Sequence, residues 1–191
     1  MDLVLIRHPA VRVDAGVCYG QSDVPLLRDA NASACALKAR MLSLNVPACV
    51  DGWHSSGLVR CASLAWALSG GIAPHVDARL AEMNFGAWEG RAWDAIDRAL
   101  IDAWAADIEH ARPHGGESLV QFAGRVEAWL RDIERADRPV HVIAHAGVMR
   151  VLTAHMLGME RASVLQWPIE FGAIVHFRRV TGKWLLVRWN A

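Results

Sequence analysis

Apolar residues along this chain fall into short β-branched runs that alternate with segments of helical spacing. One run, Leu3-Val4-Leu5-Ile6, stops at Arg7-His8. Another, Val140-His141-Val142-Ile143-Ala144, stops at His145-Ala146-Gly147. Unbroken runs of this length predict strands buried on both faces, as in a parallel sheet. Between them the pattern predicts a helix capped by Asp29 or Asn31 and running to Asn45, a strand over 50–55, a helix over 57–68 ended by Gly70-Gly71, and a short strand over 75–80. A helix follows over 93–108. Another is capped by Ser118 and reaches Arg135, with Val120, Phe122, Val126, Trp129, Leu130 and Ile133 mostly at helical spacing. After the His145 strand come a helix over 148–157 and a hairpin pairing 173–179 with 183–189 around Thr181-Gly182. This order predicts one domain over 1–191, a three-layer α/β/α sandwich. Its central sheet is mostly parallel, with an antiparallel C-terminal hairpin at the edge.

Composition narrows the reading. The chain has 191 residues, 53% of them hydrophobic and 21% charged, enough to bury a full core. Lys plus Arg and Asp plus Glu are both 20, so no excess positive charge points to a nucleic-acid partner. Cys18, Cys35, Cys49 and Cys61 are widely spaced with no CxxC, and are expected as free thiols in a reducing cytoplasm. No basic segment followed by a long apolar stretch marks a secretory signal. No run approaches the roughly 20 apolar residues needed to cross a bilayer, so no membrane partner is expected.

The chemistry sits at the strand ends. In open α/β sheets ligands bind at the carboxyl edge of the strands. Two imidazoles and an arginine meeting there suit an anion, and phosphate above others. Arg7 offers a fork of donors for phosphate oxygens, and a neutral His8 can attack phosphorus. Arg60, in Ser55-Ser56-Gly57-Leu58-Val59-Arg60, falls in the first turn of a helix, where free N–H groups also favour anions. Glu82 and Glu89, in Glu82-Met83-Asn84-Phe85-Gly86-Ala87-Trp88-Glu89-Gly90, both qualify as an acid that protonates a departing alkoxide. A protonated His145 would stabilise a phosphoryl group, and Ala146-Gly147 would let backbone approach a ligand. Ser118, after Gly115-Gly116-Glu117, is a helix cap by one reading and a pocket border by another. His141 reads as a core histidine. A zinc site from His8, His141 and His145 lacks suitable spacing.

Taken in order, these segments resemble the histidine phosphatase superfamily, also called the phosphoglycerate mutase-like family. Leu5-Ile6-Arg7-His8 resembles its first signature and Ser55 to Arg60 its second-arginine motif. Glu82 to Gly90 is similar to its acid loop, and Ile143-Ala144-His145-Ala146-Gly147-Val148-Met149-Arg150 to its second-histidine motif. The resemblance implies a metal-independent phosphomonoester hydrolase without a cofactor, acting on a small phosphorylated metabolite. His8 would carry a phosphohistidine, Arg7, Arg60 and His145 would form the phosphate pocket, Glu82 would donate the proton, and Glu89 would be structural. A mutase that returns the group to substrate, or a phospho-ligand binding module, are the alternatives. The molecule would be a monomer or a homodimer.

The chain departs from the family after His8. Pro9 stands where glycine is usual, which removes a backbone N–H. Ala10 and Val11 are apolar, and Asp14 stands about where an asparagine is frequent. An aspartate there would repel phosphate or bind a substrate hydroxyl. Residues 16–26, with Tyr19, Gln21 and Ser22, most resemble the α-ribazole phosphatase branch. Tyr19 would stack on a base or pack, and Gln21 or Ser22 would reach the phosphate.

Overall fold

The computed structural model of the protein describes residues 1–49, 52–136 and 138–191. Among them six strands form one sheet: β1 (Asp2–Arg7), β2 (Trp53–Ser55), β3 (His75–Val76), β4 (Val140–Ala144), β5 (Ile174–Val180) and β6 (Lys183–Arg188). Their spatial order is β3-β2-β4-β1-β5-β6. The first four run parallel; β5 adds antiparallel to β1 and β6 antiparallel to β5, as the expected edge hairpin. The turn at Thr181 and Gly182 has both residues at positive φ, as a two-residue hairpin turn requires.

Helices α1 (Ala30–Ser43) and α2 (Val59–Leu68) cover one face of the sheet. Helices α4 (Leu119–Ala136) and α5 (Ala146–Leu157) cover the other. Connection handedness explains the split. The chain steps outward from β1 to β2 to β3 and then steps back to place β4 between β2 and β1. Right-handed crossovers taken in opposite directions put their helices on opposite faces. Alternation along β1 feeds both cores: Leu3 and Leu5 pack towards α4 and α5, Val4 and Ile6 towards α1 and α2. All four are fully buried.

The elements shift in places from what the sequence pattern predicts. Residues Val50 and Asp51 of the expected second strand lie outside the described residues, and the strand is seen from Trp53. The expected strand over 75–80 stops at Val76 and turns into a 3-10 turn at Ala78–Leu80. The expected helix over 93–108 is broken. Trp93–Ala95 is a 3-10 turn, Ile96 is extended, and the side chain of Asp97 accepts from Ala99 N to cap α3 (Arg98–Ala106). Helix α6 (Arg161–Leu165) has no counterpart in the pattern. His141 is buried against Trp53, and its Nε2 meets the Pro47 carbonyl at 2.9 Å, as a core histidine. Cys18, Cys35 and Cys61 are free thiols. Among the described residues no helix is long and apolar enough to cross a membrane.

Leu5→Ala is expected to lower stability by about 2–5 kcal/mol, seen as a lower urea midpoint at unchanged slope. Asp29→Ala removes only the α1 cap, which accepts from Asn31 N and Ala32 N, and should cost about 1 kcal/mol. The reverse order would contradict this core.

Candidate active site

Strand pairing assembles the site. Arg7 of β1 stands opposite Ala144 of β4, and Ser55 of β2 opposite Ile143. The next residues, His8, His145 and Ser56, therefore leave the sheet together. The rings of His8 and His145 meet edge to face, with centroids 5.3 Å apart. His8 is 2% exposed and His145 1%. His8 N donates to Ala144 O at 3.0 Å, which carries the ladder one residue past the strand.

The His8 ring has a defined polarity. Its Nδ1 lies 2.8 Å from the Pro9 carbonyl. A carbonyl only accepts, so Nδ1 carries the hydrogen and Nε2 keeps its lone pair. Burial lowers the His8 pKa to about 3; the charges of Arg60 and Arg7 add to this, and the Pro9 hydrogen bond opposes it. Burial is the larger cause.

His145 differs from expectation in its charge. Burial, then Arg60 and His8, hold its pKa well below the usual value, so the unliganded protein carries a neutral ring there. Its Nε2 lies 2.9 Å from Ser56 Oγ, and Cys61 Sγ packs beside it. Burial pushes the Cys61 thiol up to about 12, so it packs rather than reacts.

The two arginines are held by backbone carbonyls. Arg7 Nη1 donates to Ile169 O at 2.5 Å, and its guanidinium lies 3.9 Å from the Phe171 ring centre. Arg60 is fully buried at the start of α2 and donates to Gly20 O and Ser22 O at 2.7 and 2.8 Å. The Nε atoms of both are buried without a partner. Unsatisfied buried donors on cations are costly and suit an incoming anion. The Tyr19 ring centre lies 5.2 Å from the Arg60 guanidinium and 6.4 Å from the centre of the His8 ring.

A cleft of about 130 Å³ opens here, lined by Arg7, His8, Tyr19, Glu82 and Ala146 among others. Arg60 and His145 lie beneath it. The Glu82 carboxylate accepts from Met83 N at 3.0 Å and Gly147 N at 3.1 Å. A Cβ on Gly147 would collide with that carboxylate, so the glycine is required by Glu82. Glu89 instead accepts from Gln21 N, Phe85 N, Ser22 N and Ser22 Oγ. Burial alone would raise its pKa; these hydrogen bonds outweigh it and hold the carboxylate below its ordinary range.

Other expected site residues stand elsewhere. Gln21 Nε2 donates to Glu82 O at 3.0 Å, so Gln21 and Ser22 tie the Tyr19 loop to the acid loop. Asp14 sits in an exposed turn. Ser118 caps α4 reciprocally with Gln121: Gln121 N donates to Ser118 Oγ, and Ser118 N to Gln121 Oε1. Ser56, Phe171 and Arg125 join the site without having been singled out. Arg125 donates to Ala81 O and Glu82 O while bridging Glu117. Its place beside Phe122 and Val126, on the apolar side of α4, is the sequence signal for a buried role.

Glu89→Gln sets an amide NH2 against N–H groups. It should cost about 1–3 kcal/mol and lower kcat/KM by loosening the carbonyl cradle of Arg60. The folded-state pKa of Glu89 is depressed, so its stabilisation is present above the unfolded carboxyl pKa and is lost as pH falls below it. The variant should therefore show a flatter loss of stability on acidification, measured by urea unfolding across pH.

The family model described as histidine phosphatase superfamily (branch 1) matches residues 3–191. A glucosyl-3-phosphoglycerate phosphatase of Mycolicibacterium vanbaalenii is 33% identical over 184 residues, 89% of this chain and 79% of that protein. An adenosylcobalamin/α-ribazole phosphatase of Salmonella typhimurium is 29% identical over 180 residues, covering 90% and 87%. The crystal structure of the α-ribazole phosphatase of Shigella flexneri superposes with a TM-score of 0.86 at 26% identity, covering 100% of this chain and 96% of that one. With the family model matching residues 3–191 and the fold in agreement, the chain belongs to the histidine phosphatase superfamily and is a phosphatase of that type.

Proposed function

We propose that the protein hydrolyses a small phosphomonoester through a phosphohistidine on His8, with Glu82 as proton donor. The observation that carries this is the His8 ring: neutral, with Nε2 unprotonated, and facing the same cleft as Glu82. In the first step Nε2 forms a bond to phosphorus while the ester P–O bond breaks, and Glu82 gives its proton to the departing oxygen. Water then attacks the phosphohistidine, Glu82 takes back a proton, and phosphate leaves. Arg7, Arg60 and the neutral N–H of His145 meet the charge on the phosphoryl oxygens. Tyr19 and Ala146 border the ester, while Gln21, Ser22 and Ser118 hold the surrounding loops. α-Ribazole phosphate and glucosyl-3-phosphoglycerate, after which the relatives are named, are the first substrates to assay.

Phosphate release should vanish in His8→Ala and be unaffected by EDTA. Rapid quench into alkali should trap acid-labile phosphoprotein from the native chain and none from His8→Ala. Glu82→Gln should slow alkyl esters by about 10²–10⁴ and 4-nitrophenyl phosphate far less, because a good leaving group needs no proton. Equal loss on both would remove Glu82 from the acid role. With a His8 pKa of about 3, the acid limb of kcat/KM should not report His8 across pH 5 to 8.

A further inference from the structure

A second cavity, of about 280 Å³, adjoins the His8 cleft. Glu82, Phe85 and Ala146 line both. If Glu82 protonates the departing oxygen, the rest of the alcohol extends past Glu82, and this chamber is where it goes. The remaining walls include Trp104 of α3, Ile108 just beyond it, Phe122 of α4 and Leu165 of α6, all apolar. A void of about 150 Å³ already holds a benzene ring, so an aryl group with a substituent fits.

Two of the lining residues carry N–H donors. Trp104 Nε1 is buried and has no acceptor. Arg150 of α5 borders the chamber, and its Nε and Nη2 share one acceptor, the Trp167 carbonyl, at 3.2 and 3.0 Å. Among the described residues no carboxylate lies within ion-pairing distance of Arg150, and burial disfavours its charge while Glu82 supports it from further away. A polyol would leave its hydroxyls against Phe122, Ile108 and Leu165. A wholly apolar group would leave Arg150 unanswered.

Building on the phosphatase reading, we propose that this chamber is the leaving-group subsite, and that it selects a monoester whose alcohol is flat, largely apolar and carries one carboxylate. Arg150 receives the carboxylate, and the apolar walls receive the body.

The test compares three esters of primary alcohols: 4-carboxybenzyl phosphate, benzyl phosphate and glycerol phosphate. For the native chain kcat/KM should fall in that order, by about tenfold at each step. Arg150→Met should bring the ratio of carboxybenzyl to benzyl ester near unity, and Arg150→Lys should restore part of it. Ile108→Trp, which fills the chamber from its rim, should lower the ratio of benzyl to glycerol ester. Thermal melts establish that each variant is folded, and two independent positions guard against one that is not. Glycerol phosphate hydrolysed as well as benzyl phosphate, or a uniform loss across the esters in Arg150→Met, would overturn the subsite while His8-dependent turnover leaves the phosphatase reading intact. Release that survives in His8→Ala, or none from any ester, would instead overturn the phosphatase reading and the subsite with it.

Discussion

The position of β4 between β1 and β2 is the constraint on which the site depends. Parallel pairing of Arg7 with Ala144 and of Ser55 with Ile143 makes three chain segments leave the same edge of the sheet within one residue of each other. Side chains alternate along a strand, so a slip of one residue would turn every one of them to the opposite face. Register is therefore enforced far from the chemistry, by Leu3 and Leu5 against α4 and α5, and by Val4 and Ile6 against α1 and α2. The hydrophobic effect that closes the two cores also brings the His8 and His145 rings to 5.3 Å.

Burial then decides the electrostatics. Two histidines and two arginines share a region with little access to water, where like charges repel strongly. The histidines yield, and both stay neutral. The hydrogen-bond partners of the two arginines are the carbonyls of Ile169, Gly20 and Ser22 rather than carboxylates. Carbonyl dipoles orient a guanidinium without cancelling it. The field that remains is positive and favours an anion.

The strands and their histidines were legible in the sequence because their signals are local: an apolar run, then a polar pair. Asp29 at the start of α1 was legible for the same reason, since its carboxylate accepts from amides two and three residues on. The segment between the acid loop and α4 was not. Its apolar spacing fits one helix, but Asp97 interrupts it with a cap, and Trp93 stacks on Trp104 across the break. The neutrality of His145 was illegible because it follows from enclosure by Arg60 and His8, which come from distant parts of the chain. Arg125 and Phe171 act through tertiary contacts alone. The α-ribazole likeness of residues 16–26 reflects a loop that the structure uses to hold Arg60 and Glu89, which says more about the phosphate end than about the alcohol.

Two glutamates of one loop show how placement, rather than residue type, divides labour. A carboxylate has about four lone-pair sites. Glu89 receives four hydrogen bonds, from Gln21, Phe85 and twice from Ser22, and all its capacity goes to fixing the Tyr19 loop. Glu82 receives two, from Met83 N and Gly147 N, and borders both cavities. Capacity left over on Glu82 is what a group that gives and retakes a proton requires. The absence of a side chain at Gly147 keeps that position available, since any Cβ there would displace the carboxylate. The glycine two residues after His145 thus belongs to the acid as much as to the histidine motif, and it ties the β4 end of the sheet to the loop that carries Glu82.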